Sequence, residues 1–208
     1  QDRDSRETAG QFSYQRIVSA HAVADFRGMA RDLSAGLWSN AASTPIFAEQ
    51  DRGFRELYLK GAVSGHIGRH EWKAGADINL ATIRERFGYR IADPGQFDDD
   101  TPPVFSFNDT RPGREQALFV QDQVRLGAWT VNAGIRWDRY RLVVDDRAVS
   151  PRLGVAWSWP AANLVLRASY DRAFQTPAVE NLLLASSPAV DALSATAPMG
   201  IPRRGDPP

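Results

Sequence analysis

Charged side chains recur at every second position through the second half of the chain: Arg136 and Asp138, then Arg152, then Arg167 and Asp171. Lys73 and Asp77 repeat the spacing earlier. Side chains two apart share one face of a strand, so neighbouring strands would bring these groups together as a ladder of opposite charges. Such a ladder keeps a wall wet while balancing its charge. Catalysis asks for more. Nucleophilic catalysis needs a Ser, His and carboxylate set, yet none of His21, His66 and His70 has an evident Ser partner, and no G-x-S-x-G occurs. No Gly-rich phosphate loop opens a helix. His66 and His70 flank a tight turn beside Glu71, but parity separates them, and a structural zinc site needs four ligands. With no cysteine, disulfides and thiolate chemistry are excluded. We expect neither an enzyme nor a metal or cofactor site. The acidic run Asp98, Asp99, Asp100 reads as a solvated loop, and both Arg204-Gly205-Asp206 and the sequon Asn108-Asp109-Thr110 as chance.

The elements that would carry the ladder show period-2 alternation. In 129–138, Trp129, Val131, Ala133, Ile135 and Trp137 oppose Thr130, Asn132, Gly134, Arg136 and Asp138. The same holds in 57–67, 71–80, 152–159 and 163–174, each close to the ~9–11 residues of a tilted membrane-crossing strand. Segment 116–126 alternates less cleanly, because Asp122 shares the apolar parity; it belongs near an interface or at a bulge. Segment 16–33 reads as one long strand. The sum is an all-β, antiparallel up-and-down meander of about seven strands.

The connections alternate in length. Tight links fall at Gly68-Arg69, Gly127-Ala128 and 160–162; wide excursions fall at 83–114, at 142–150 and from 176 onward. In a meander every second connection lies on the same side, so one side carries turns and the other loops. Transmembrane barrels keep this asymmetry. Aromatic residues Trp72, Trp129 and Trp159 mark the turn ends and Tyr140 and Phe174 the opposite ends, as interface girdles would. Residues 1–175 are thus expected to be a partial barrel wall with external loops, and 176–208 an irregular Pro-rich external tail.

Composition agrees without deciding. Apolar content is 43% and formal net charge zero, so nothing points to nucleic acid. No run approaches a helical membrane span. The N-terminal QDRDSRETAG lacks a signal peptide, so the chain is either cytoplasmic or missing its true start. Alternation alone also fits a soluble, lipocalin-like binding barrel, in which the apolar face points inward. That inversion is invisible in the pattern.

Four segments in order carry a family likeness: ALFVQDQVRL (117–126), AGIRWDRYR (133–141), SPRLGVAW (150–157) and SYDRAFQTPAVENL (169–182). Together with HEWKAGAD (70–77) they resemble the barrel of TonB-dependent outer-membrane receptors. The resemblance implies a bacterial outer-membrane barrel of about 22 strands, closed by an N-terminal plug. It further implies uptake of a scarce small ligand, with outer-membrane lipid and the TonB energy-transducing complex as partners. Asn181 after Glu180 is a small departure from the family pattern, and plug, energy-coupling box and a closing aromatic strand are not found here. The expectation is an internal slice of such a receptor.

Overall fold

The computed structural model describes residues 1–97, 101–142, 144–174 and Leu183. They form eight strands: β1 (Asp2–Ser19), β2 (Ala22–Trp38), β3 (Ile46–Ile67), β4 (His70–Ile91), β5 (Val104–Leu126), β6 (Trp129–Arg141), β7 (Asp145–Trp159) and β8 (Leu164–Asp171). All pair antiparallel in chain order within one sheet. Among the described residues no helix is long and apolar enough to cross a membrane.

Turn chemistry explains one end of the sheet. Gly68 and Gly127 hold φ of +59° and +60°, the left-handed conformation that tight hairpins need and glycine adopts without a Cβ penalty. At the third hairpin a single 3-10 turn, Pro160–Ala162, is closed by Asn163 at φ 48°. A fourth tight turn, at Ala20-His21, divides 16–33 into two strands where one was expected. It contains neither Gly nor Pro, which is why the sequence does not announce it; a register shift between Ile17 and Ser19 absorbs the bend.

The opposite end carries the longer connections at 39–45 and 92–103, and a short one at 142–144. The excursion expected over 83–114 is therefore mostly strand. Phe87 and Tyr89 face Phe105 with ring centroids 6.0 and 5.7 Å apart, zipping the β4–β5 hairpin well beyond its lower half. Pro112 sits inside β5 because the β5–β6 ladder begins only at Arg114, leaving the amide-less position on an open edge. Likewise β7 begins at Asp145, inside the loop expected at 142–150. Asp98 to Asp100 lie outside the described residues, as do 176–208 apart from Leu183.

Burial tells the two faces apart. Ala62, Ile83, Glu85, Ala117, Tyr140 and Ser150 are all buried, and all share the parity of the polar set. That side is the concave one. The apolar parity is turned outward, where Trp129, Leu153 and Leu166 remain about half exposed at 49%, 50% and 53%. Apolar out and polar in is the reverse of a soluble barrel.

Candidate functional site

The concave face carries ion pairs that cross strand after strand. On the β1 side, Arg31 reaches Glu56 at 3.0 Å and Glu7 at 3.8 Å, and the Asn79 amide donates to Glu56 at 2.8 Å. Register places these groups within a row or two of each other on β1, β2, β3 and β4. The Arg31 guanidinium also lies over the Phe54 ring, 5.2 Å from its centroid.

The centre of the wall is Arg136. Its Nη1 and Nη2 donate to the two oxygens of Asp77 at 3.1 and 3.3 Å, and its Nε donates to Asp138 at 2.8 Å. Asp77 stands on β4 and Arg136 on β6, so the side chain bridges over β5. Ala117 makes this possible: it sits in register between Asp77 and Asp138 and is small enough to pass beneath. It is 2% exposed. The acids are 12% and 15% exposed and the arginine 31%, so the cluster is sheltered though not sealed. Beside it the Lys60 ammonium lies 5.2 Å from the Phe119 ring centroid. At the far edge Arg152 on β7 meets Asp171 on β8 at 3.1 Å.

Of the sequence candidates, the fold brings Asp77, Arg136 and Asp138 into one cluster and Arg152 and Asp171 into one pair. Lys73 lies on the same face toward the turn end, and Arg167 stands exposed on β8. Trp72, Trp129 and Trp159 are at the turn end on the outward face; the Trp157 ring stacks between Trp129 and Trp159, with centroids 6.0 and 5.7 Å away. Tyr140 and Phe174 depart from the expectation of outward aromatics. Tyr140 is 3% exposed, because its even parity puts it with Arg136 and Asp138 on the concave face. Phe174 lines a concave hollow with Asp77, Arg136 and Tyr140. Position at a strand end suggested a girdle; parity overrules it.

Glu7, Arg31 and Glu56 were missed by the sequence reasoning, whereas Asn79 was read on the polar face of 71–80 without a partner. Glu7 precedes every segment read as strand, Arg31 lies in the segment 16–33 read as a single strand, and Glu56 stands one residue before the alternation read over 57–67. The histidines part company as parity requires: His66 meets His21 at 3.0 Å, while His70 meets Asp122 at 2.6 Å on the outward face near the turns. Asp122 thus keeps its place without a bulge. Among the described residues no group of three or more His, Cys, Asp or Glu is arranged to hold a metal ion.

Comparison with known proteins accords with this architecture. The family model for the TonB dependent receptor-like β-barrel matches residues 2–202. Among solved structures, the ferric citrate transporter FecA in its unliganded form superposes with a TM-score of 0.56 at 15% identity, over 74% of this chain and 25% of that one. The ferric yersiniabactin uptake receptor FyuA from Yersinia pestis gives 0.55 at 10% identity, over 74% and 25%. BauA, the ferric preacinetobactin receptor from Acinetobacter baumannii, gives 0.50 at 10% identity, over 74% and 28%. The chain thus spans about a quarter of the length of these structures, and at such identities the likeness is one of fold. No curated protein matches. A match along nearly the whole chain, on an antiparallel meander with its polar side inward, makes the chain a member of the TonB-dependent receptor β-barrel family.

Proposed function

We propose that this chain forms part of the wall of an outer-membrane importer, with the concave ion ladder lining a water-filled lumen and the outward apolar face in lipid. The observation that carries the reading is the inverted polarity: buried positions share the charged parity, and half-exposed Trp and Leu residues share the other. A lipocalin-like barrel would reverse both. From Trp129 to Trp137 the apolar column of β6 runs about 27 Å along the strand, or roughly 20 Å along the normal at a tilt of about 40°, near the ~25 Å apolar band of such barrels. Trp72, Trp129 and Trp159 would form the lower girdle, since indole favours the interface between hydrocarbon and water. Lys73, Asp77, Arg136, Asp138, Arg152, Arg167 and Asp171 would belong to the lumen wall.

The edges of β1 and β8 do not pair with each other, so further strands would close the barrel. The names of the similar structures support a ferric chelate as the ligand class, and family membership supports energy supply by the TonB complex. The wall itself is built for structure and hydration rather than catalysis.

This chain contributes no cysteine of its own, so within it each introduced thiol is single. Single cysteines at Asn132, Gly134, Val131 and Ala133, in the barrel assembled in membranes, are reacted with a water-soluble, membrane-impermeant maleimide. Labelling at 132 and 134 with protection at 131 and 133 is expected. The opposite alternation would overturn the membrane sense.

A further inference from the structure

The outward column of β6 changes character abruptly. Five apolar residues, Trp129 to Trp137, are followed by Arg139 and Arg141. The neighbouring strands change at the same height. Arg114 of β5 stands directly opposite Arg141, and Arg147 of β7 directly opposite Arg139. All four arginines are exposed. Like charges placed directly across a ladder destabilise it, and here two such pairs adjoin.

One carboxylate lies among them. Asp145 accepts from Arg139 at 3.1 Å and lies 3.6 Å from the Arg141 Nε. The Arg139 hydrogen bond holds its carboxyl below the usual carboxylate range, and the charges of Arg139, Arg141 and Arg147 add to the effect. Four guanidinium groups offer about twenty N–H donors, whereas one carboxylate offers about four lone-pair positions. Charge and donors are both in excess, so the patch is complementary to a multiply charged anion. Directly below, on the same face, Leu118, Ile135 and Val149 are half exposed. An anion joined to hydrocarbon chains would satisfy both halves at once; a free anion would satisfy only the upper.

We propose that Arg114, Arg139, Arg141 and Arg147 bind the phosphorylated headgroup of an outer-leaflet lipid whose acyl chains lie along Leu118, Ile135 and Val149. The proposal rests on the outward face lying in the membrane. Arginine suits the task because its planar fork meets phosphate oxygens two at a time.

The test uses the protein in neutral-detergent micelles, titrated with bisphosphorylated lipid A and followed by 31P NMR, against the same lipid stripped of phosphate and against inorganic phosphate. Binding of the bisphosphorylated lipid at least tenfold tighter than either control is expected. The double variant Arg139→Gln/Arg141→Gln should lose about 30-fold, taking the usual contribution of one surface arginine to anionic-membrane attraction twice. Quenching of the tryptophans by brominated lipid reports separately on the membrane placement and on folding of the variant. Intact quenching with no phosphate preference, or with no loss in the variant, would overturn the proposal while leaving the membrane placement standing. Inorganic phosphate binding as tightly as the lipid would overturn it in favour of a free-anion site. Absent quenching in the wild type would overturn both.

Discussion

Replacing Arg136 by Gln isolates the electrostatics of the wall. The variant removes the bidentate contact to Asp77 and the 2.8 Å bond to Asp138, and leaves two carboxylates facing the same sheltered space. Two costs follow. Charge-assisted hydrogen bonds contribute about 1.5–3 kcal/mol each when well sheltered, but Arg136 is 31% exposed and water replaces part of this. The second cost is repulsion. Asp77 and Asp138 are separated by one intervening strand, hence by about 10 Å, and two charges at that distance repel by about 1.7 kcal/mol at an effective dielectric of about 20. Screening by salt lowers this further. The sum is a destabilisation of about 2–4 kcal/mol, of which roughly 1 kcal/mol belongs to repulsion between the two carboxylates left without their arginine.

That partition can be measured. Urea unfolding in micelles, followed by tryptophan fluorescence, gives the cost of Arg136→Gln, of Asp77→Asn, and of both together. Asp77→Asn alone should cost about 1–2 kcal/mol, because the guanidinium loses one of its two carboxylate partners. In the Arg136→Gln background it should cost nothing or recover about 1 kcal/mol, because it removes a repelling charge. Additive effects, within about 0.5 kcal/mol, would refute the reasoning: Arg136 and Asp77 would then not interact across β5.

Two further predictions concern other parts of the sheet. Gly75→Ala should destabilise by about 1–3 kcal/mol, since a Cβ there would lie 2.5 Å from the Gly61 carbonyl oxygen and 2.7 Å from Phe119; Gly61→Ala, whose nearest neighbour is 3.9 Å away, should be tolerated in the same unfolding assay. At the loop end, Asp145 has its folded-state carboxyl held low by the Arg139 hydrogen bond. A depressed carboxylate contributes stability above its unfolded value and loses it as pH falls through the folded one. Its 13C carboxyl resonance should therefore titrate below the ordinary value of 3.8, and Arg139→Gln should raise it toward that value, with Arg141 and Arg147 still holding it down; an unchanged midpoint in the variant would remove the cause assigned to it.

How much could be read in advance differs between the two halves of each strand, and the physics says why. Where one face meets an apolar environment and the other water, alternation is forced, and 71–80, 129–138 and 152–159 lie wholly inside β4, β6 and β7. Beyond Trp137 and Leu80 the outward positions turn polar, as at Arg84, Arg86, Arg139 and Arg141, so the apolar column that marks a strand is lost, and the extensions to Ile91, Val104 and Asp145 were read as loop. β1 is the extreme case. Of its 18 residues every one is exposed, and only Phe12 and Tyr14 mark its outward parity. The ladder of Asp77, Arg136 and Asp138 was legible as a shared face, since parity fixes faces. Its bridging geometry was not, because a contact from β4 to β6 depends on register, and register is set by turns and by the small residue between.

Ala117 shows how far the polar wall depends on register. A one-residue slip of β5 against β4 and β6 would exchange Ala117 for Leu118 or Gln116 in the row between Asp77 and Asp138, and would turn every side chain of β5 to the opposite face. Arg136 would then have to pass a long side chain to reach Asp77, and Asp122 would move off the outward face where His70 holds it at 2.6 Å. The left-handed glycine at Gly127 and the outward apolar column of β6 both resist that slip, from the turn end and from the outward face respectively. The polar wall is thus held in place largely by residues it never touches.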